Sequence, residues 1–445
     1  MYEYGALHDA SGKDVTGGQD VETVRAVPAT YRQVMADHRR GQRRRRVHQR
    51  AVWVYLLLLS LLGMALLSGC NAPGYSSTLG AQSPTATATA MATAPATAPA
   101  SDTPSAVFIA ENSLSGSQSR VLALNPINGA VLWRSKTFTG TIGSLFQSQG
   151  IVLAPINSIS VVSLVALNAQ DGTERWHTSA LYPSATVLVT GNTAYISGQA
   201  DSAHHGIVGA YRITDGILLW RYDAGNCGAE FLAAASGEVV LSPGGCSNPQ
   251  VTALNEHNGA VLWQRPAKDI GAKVTIANGV VYLNNFGLVT AFDAGTGATK
   301  WQYTPAQGGG QGGSSVSVGD QMVIAEAGIQ LLALRPQDGS VAWSLDFQHI
   351  VNGHTIVGNV VYVSTGGAGT VTALRLNDGV RLWQTPLDWS EPWAPVAAGG
   401  VLYVSDDEGA SAVPEPGKLY AIQTTDGAVA WKYDAGGGVP LPAVG

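Results

Sequence analysis

Side chains able to do chemistry are sparse in this 445-residue chain, which has three cysteines and nine histidines. Cys227 and Cys246 flank a hairpin whose turn falls at Ser236-Gly237, each nine residues from the nearer turn residue. They can face each other across the pair, and an oxidising compartment would join them as a disulfide. Two buried free thiols are the alternative. His204 and His205 stand in one predicted loop, His349 and His354 in another. Metal ligation would need the fold to bring such loops to an acidic or Cys partner, so hydrogen-bonded or solvated rings are the preferred reading. Asp406, Asp407 and Glu408 open an acidic loop running to Lys418. Hard cations need several oxygen ligands, and a solvated loop is preferred there over a calcium site. Gly308, Gly310 and Gly313 match GxGxxG, but no helix follows to meet a phosphate. A Gly-x-Ser-x-Gly elbow and a His-Glu-x-x-His helix are both absent from the sequence. The chain is read as carrying no catalytic residues and no metal site.

The elements that must position any site come from a repeat. Ala, six residues to Gly, four more to Trp recurs eight times. The copies are Ala123/Gly129/Trp133, Ala166/Gly172/Trp176, Ala210/Gly216/Trp220, Ala253/Gly259/Trp263, Ala291/Gly297/Trp301, Ala333/Gly339/Trp343, Ala373/Gly379/Trp383 and Ala421/Gly427/Trp431. Successive Trp residues lie 38 to 48 apart, a period that signals stacked units or a propeller. Turns such as Asp171-Gly172 and Asn258-Gly259 supply the positive φ of a hairpin. Strand stretches flank them, as in Val371–Leu374 and Val380–Trp383, and two more strands precede each motif. With 54 glycines and only 13% charged residues, the composition suits short strands and tight turns. The expected fold class is all-β: an eight-bladed β-propeller of four-stranded blades. The first repeat starts at its second strand, Ala106 to Ala110, and Gly438 to Gly445 reads as a first strand without a second. The two ends should pair and close the ring.

This repeat over residues 106–445 resembles the pyrroloquinoline-quinone (PQQ)-type propeller repeat, and its layout is closest to the BamB-type lipoproteins. The resemblance implies that Trp133, Trp176, Trp220, Trp263, Trp301, Trp343, Trp383 and Trp431 dock neighbouring blades. The family also includes quinoprotein dehydrogenases, which carry an adjacent Cys-Cys pair and a calcium constellation. This chain has no adjacent cysteines and little length for the inserts that build such sites. No cofactor is expected, PQQ included, and a PQQ-dependent sugar or alcohol dehydrogenase is the alternative function. Asp388-Trp389-Ser390-Glu391-Pro392-Trp393 links two blades outside the motif. Trp389 and Trp393, with Glu391, form a candidate surface for a peptide or sugar; inter-blade packing is the other reading.

Ahead of the repeat lie three segments. Residues 1–50 are a basic segment with ten Lys/Arg against six Asp/Glu, so the remaining residues carry −10 of the net −6. An acidic body argues against nucleic-acid partners. Residues 51–70 contain the apolar run Ala51 to Leu67, preceded by Arg43 to Arg46 and Arg50, an order that sends the following chain outward. The run ends in Leu67-Ser68-Gly69-Cys70, which resembles a bacterial lipobox with Cys70 as the lipidated thiol; an uncleaved signal-anchor is the alternative. Met35 offers a start that would give a basic segment of ordinary length. Residues 71–105 are an Ala/Thr/Pro/Ser linker, expected to stay extended. Together these predict a monomeric, membrane-anchored scaffold on the outer side of the bacterial plasma membrane, binding a protein, peptide or cell-envelope ligand.

Overall fold

The computed structural model describes residues 104–158, 161–178, 185–199, 205–227, 229–244, 248–267, 271–305, 314–319, 321–367, 369–388, 391–406 and 416–445. Among them no helix occurs. The strands form eight antiparallel sheets set as blades in a ring, an eight-bladed β-propeller. Blade 3 shows the plain pattern, with Ala185–Thr190, Thr193–Gln199, Gly206–Arg212 and Leu218–Gly225 pairing in chain order. Blades 4 to 8 repeat it. In blade 2 the first position is shared by Thr141–Ile142 and Phe146–Ser148, both paired with Ile151–Asn157.

The repeat motif explains why each blade holds. In every blade the motif Ala pairs directly with the motif Trp, as Ala253 with Trp263, and a register shift follows the Ala. Both lie in the outer half of the sheet, on the third and fourth strands. The small Ala lets rings on the second and fourth strands lean together over it. Tyr195 and Trp220 have centroids 5.9 Å apart across Ala210, and Tyr362 and Trp383 5.7 Å apart across Ala373. The hairpin between the third and fourth strands is longer than a two-residue turn. Gly259 N–H donates to Asn255 C=O at 2.9 Å, and Asn255 N–H to Ala260 C=O at 2.8 Å, closing a four-residue loop.

The chain ends meet in blade 1. Gly437–Gly438 and Ala443–Val444 both pair with Val107–Ser113, and Ala106 and Gly445 exchange backbone hydrogen bonds of 2.9 and 3.2 Å. The closing strand is split rather than continuous, because Pro440 and Pro442 have no N–H for a ladder. The joint is packed like the other interfaces. Val107, Ile109, Leu122 and Leu124 share a buried cluster with Tyr403, Leu419 and Trp431 of blade 8.

Candidate functional site

Each motif indole reaches into the next blade. Its N–H donates to the backbone carbonyl three residues after that blade's motif Ala: Trp133 to Ala169 (3.0 Å), Trp176 to Ile213 (2.8 Å) and Trp220 to Glu256 (2.8 Å). The series continues with Trp263 to Ala294, Trp301 to Pro336 (2.7 Å), Trp343 to Leu376 (2.9 Å), Trp383 to Thr424 (3.0 Å) and Trp431 to Pro126 (2.9 Å). The indole lies against the turn glycine of that same next blade. A Cβ built on Gly259 would stand 2.6 Å from Cε3 of Trp220, and φ there is +70°. Glycine is therefore required twice, for the left-handed backbone and for the close approach of the ring. These eight Trp side chains are committed to blade docking.

The two ends of the ring differ in content. Strand direction alternates, so the link entering a blade and the turn between its second and third strands fall at one end, here called the link face. The glycine turns fall at the other. On the link face the Trp393 residue is 41% exposed while its backbone N–H donates to Ser405 C=O at 2.9 Å. Glu391, also exposed, accepts a 3.0 Å hydrogen bond from Asn352 Nδ2, which bonds Pro392 C=O as well. The Gly366-Gly367 turn of blade 7 packs under this group, with Glu391 against Gly366 and His349 against Gly367. The structure thus brings Glu391 and Trp393 onto a loop cluster shared by blades 7 and 8. Trp389, Asp407 and Glu408 lie outside the described residues, as do Gly308, Gly310 and Gly313.

His354 is not a loop residue. It lies in the strand Val351–Val357, where alternation turns it into the interface with blade 6. Its Nδ1 is 2.6 Å from Glu326 Oε1 and its Nε2 2.6 Å from Ser317 Oγ, with the His and Glu side chains 0% and 1% exposed. Glu326 Oε2 also accepts from Ser315 N–H at 3.0 Å. Every member of this cluster has a partner, as burial demands, and it pins the first strands of two blades together. His349 is exposed in the link before that strand, and His205, exposed before blade 3's third strand, is the described one of the His204–His205 pair. No three His, Cys, Asp or Glu side chains among the described residues gather closely enough to hold a metal ion.

Cys227 is disulfide-bonded at the link into blade 4, and Ser236 and Gly237 form the turn of the following hairpin with φ +56° and +87°. Cys246 lies outside the described residues, as do Cys70 and the run Ala51 to Leu67.

A second feature of the link face had no motif to announce it. A cleft of about 180 Å³ opens between blades 4 and 5, with apolar walls from Val251, Leu283 and Phe292 and polar ones from Asn285, Thr290 and Gln302.

A ring of eight four-stranded blades with an indole docked on each following turn defines a propeller of the PQQ-like repeat class. The family model described as "Outer membrane protein assembly factor BamB" matches residues 89–222, 117–285 and 204–433, and the chain belongs to that family. Curated relatives of that name from Yersinia pestis and Moranella endobia are both 24% identical, over 257 and 232 residues. The alignments take in 52% and 49% of this chain and 60% and 58% of theirs, so the chain spans about three fifths of the relatives it matches. In fold it is similar to AztD from Citrobacter koseri, with a TM-score of 0.57 at 12% identity, covering 77% of this chain and 98% of that one.

Proposed function

We propose that this protein is a non-catalytic scaffold of the bacterial cell envelope, tethered through a lipid on Cys70, that binds a protein partner through its link face. Its relatives are named as assembly factors for outer membrane proteins, and the reading carries a partner-binding role of that kind to this chain. The observation that carries it is Trp393: a large indole left 41% exposed beside a Glu391 carboxylate that Asn352 holds in place. Aromatic side chains of this kind are enriched at binding hot spots. The motif indoles are consumed by docking and cannot serve. Cys246 is the proposed disulfide partner of Cys227, a bridge that would fix the link into blade 4; two alkylatable thiols at these positions in unreduced protein would refute it.

The test is affinity isolation of the full chain from chemically crosslinked envelopes, compared with Trp393→Ala/Glu391→Ala. The scaffold reading expects a partner held by the wild type and lost from the double variant at unchanged melting temperature. An identical partner set in both, or reduction of a dye by the purified protein with added PQQ and calcium, would reject it.

A further inference from the structure

The repeat makes the eight blade interfaces directly comparable, and one of them differs in kind. Where a blade faces its predecessor, the docked indole fills the half of the interface near the glycine turns. Four positions face the other half, toward the link face. They are the residue two after the docked Trp, the residues one and three before the next motif Ala, and the residue just after the next Trp. Alternation along paired strands brings all four to the facing surfaces. Between blades 3 and 4 they are Tyr222, Thr252, Gln250 and Gln264. All four are uncharged, and all four can donate and accept hydrogen bonds. At every other interface at least one of the four is apolar, glycine or charged, as with Leu332 in blade 6, Leu345 between blades 6 and 7, and Lys432 in blade 8.

The two blades do not close over these side chains. A cleft of about 380 Å³ remains, with all four in its walls. That volume falls among small-molecule sites, which run from roughly 300 Å³ upward. One wall is the outer end of a packed interface: Leu241 pairs with Thr252 and belongs to the buried cluster of Trp220, Val239 and Leu254. Ala224 and Pro243 carry that apolar wall into the cleft. The polar wall is braced. Gln264 Nε2 donates to Thr252 Oγ1 at 3.2 Å and to Tyr222 Oη at 3.3 Å, which joins the two blades. Gln264 Oε1 and the side-chain amides of Gln250, Asn226 and Asn248 make no hydrogen bond among the described residues. The disulfide-bonded Cys227 stands at the same mouth, and its C=O accepts from Gly244 N–H at 2.8 Å, tying the link to blade 4.

These walls select a ligand. None of the described lining residues is charged, so an ion entering would lose water without compensation. A purely apolar group would leave the amides unpaired. An extended peptide is read by a row of backbone groups along one strand edge, whereas the polar groups here are side chains converging from both blades. What fits is a compact ring with neutral donors and acceptors on its rim and apolar C–H surface beside them. We propose that the cleft between blades 3 and 4 binds one neutral sugar ring of the N-acetylhexosamine class. The amides of Gln250 and Gln264 take ring hydroxyls and the acetamido group, and the acetyl methyl lies on the wall of Leu241 and Pro243. The site is separate from Trp393, at the junction of blades 7 and 8, and gives the scaffold a glycan ligand beside its protein partner.

The full chain is titrated with N-acetylglucosamine and N-acetylgalactosamine, with protonated glucosamine and tri-alanine as controls. Methyl NMR of Leu241, Thr252 and Ala224 reports the cleft, and Ile324, buried at the interface of blades 6 and 7, serves as the reference. At least one acetylated sugar should bind saturably, with a Kd on the order of millimolar for a ligand of this size, and should shift the cleft methyls without moving Ile324. Glucosamine and tri-alanine should bind roughly tenfold more weakly or not at all. Gln250→Leu and Gln264→Leu should each weaken the sugar about tenfold, the worth of one hydrogen bond, at unchanged melting temperature. Gln264 is exposed, so its replacement leaves the core intact and decides the matter if Gln250→Leu folds poorly. Silent cleft methyls with both sugars in a folded protein would overturn the proposal. So would affinity for tri-alanine or glucosamine equal to that for the sugars, or undiminished sugar binding in Gln264→Leu.

Discussion

The indole N–H of Trp431 donates to the carbonyl of Pro126 at 2.9 Å, a contact between residues 305 positions apart. It is chemically the same bond that joins every other pair of neighbouring blades. The last blade thus docks on the first as any blade docks on its successor, and the split C-terminal strand adds a second fastening in the sheet of blade 1. Two independent devices close the ring, and they can be removed separately.

Trp431→Phe keeps a ring in the slot but deletes the donor. It should cost about 1–2 kcal/mol, the value of a hydrogen bond whose acceptor is left short of a partner. Deleting Val439 to Gly445 should do more, because it bares the edge of Val107–Ser113 and uncovers the apolar surface that Val439 and Ala443 pack against, such as Ile109 and Phe108. Differential scanning calorimetry of both variants checks the order. A truncated protein that melts like the wild type would show that the terminal strand does not hold the ring.

Glycine at the docking turn should be less replaceable than glycine at a free turn. Gly259 and Gly237 have φ of +70° and +87°, but only Gly259 has a neighbour in the way, Trp220, whereas nothing lies within 4 Å of the position a Cβ would take on Gly237. Gly237→Ala should cost about 1 kcal/mol of backbone strain alone. Gly259→Ala should exceed it by roughly 1–3 kcal/mol, the usual penalty of overpacking. Chemical denaturation of the two variants gives the comparison, and equal losses would remove the indole from the explanation.

Glu238 is held above the ordinary glutamate range by partial burial and, secondarily, by the charge of Asp293. Its Oε2 is buried without a partner. A carboxyl whose pKa is raised on folding favours the fold when protonated, and that contribution is lost as pH rises through the folded value. Glu238→Gln should therefore raise the melting temperature at pH 7, with the gain shrinking toward zero below about pH 4, where both states of the wild type are protonated. A gain of equal size at both pH values would assign the effect to something other than the charge.

The buried pair of His354 and Glu326 should respond in the opposite sense. Removing one partner strands the other in a site with side-chain exposures of 0% and 1%. Glu326→Ala or His354→Ala should each cost about 3–5 kcal/mol. The double variant should cost less than the two losses added, because neither group is left alone. Additive losses in equilibrium unfolding would mean the two side chains act independently.

The fold was legible in the sequence because its determinant is local. The Ala, Gly and Trp of each copy all sit in one hairpin, and the same hairpin presents the carbonyl that receives the previous blade's indole. A repeat of short range therefore encodes a contact between blades. The site was legible only in part. Trp393 stood out because it falls outside the repeat. His354 did not, since its partners Glu326 and Ser317 are 28 and 37 residues away and come together only when blades 6 and 7 pack. Its place in a strand was masked by Asn352 and Gly353, which read as loop. The cleft between blades 4 and 5 has no sequence signature of its own, because its walls are ordinary strand and link positions of two neighbouring sheets. The PQQ-type repeat speaks for packing and is silent on the partner, as fold is on function generally.

The account stands most directly on which end of the ring meets the partner. A benzophenone amino acid placed at Trp393, on the link face, and separately at Asp378, an exposed residue of a glycine turn at the other end, can be photolysed in intact cells expressing the full chain. The account predicts a discrete protein adduct from position 393 and none from 378. Adducts from position 378 with none from 393 would contradict it.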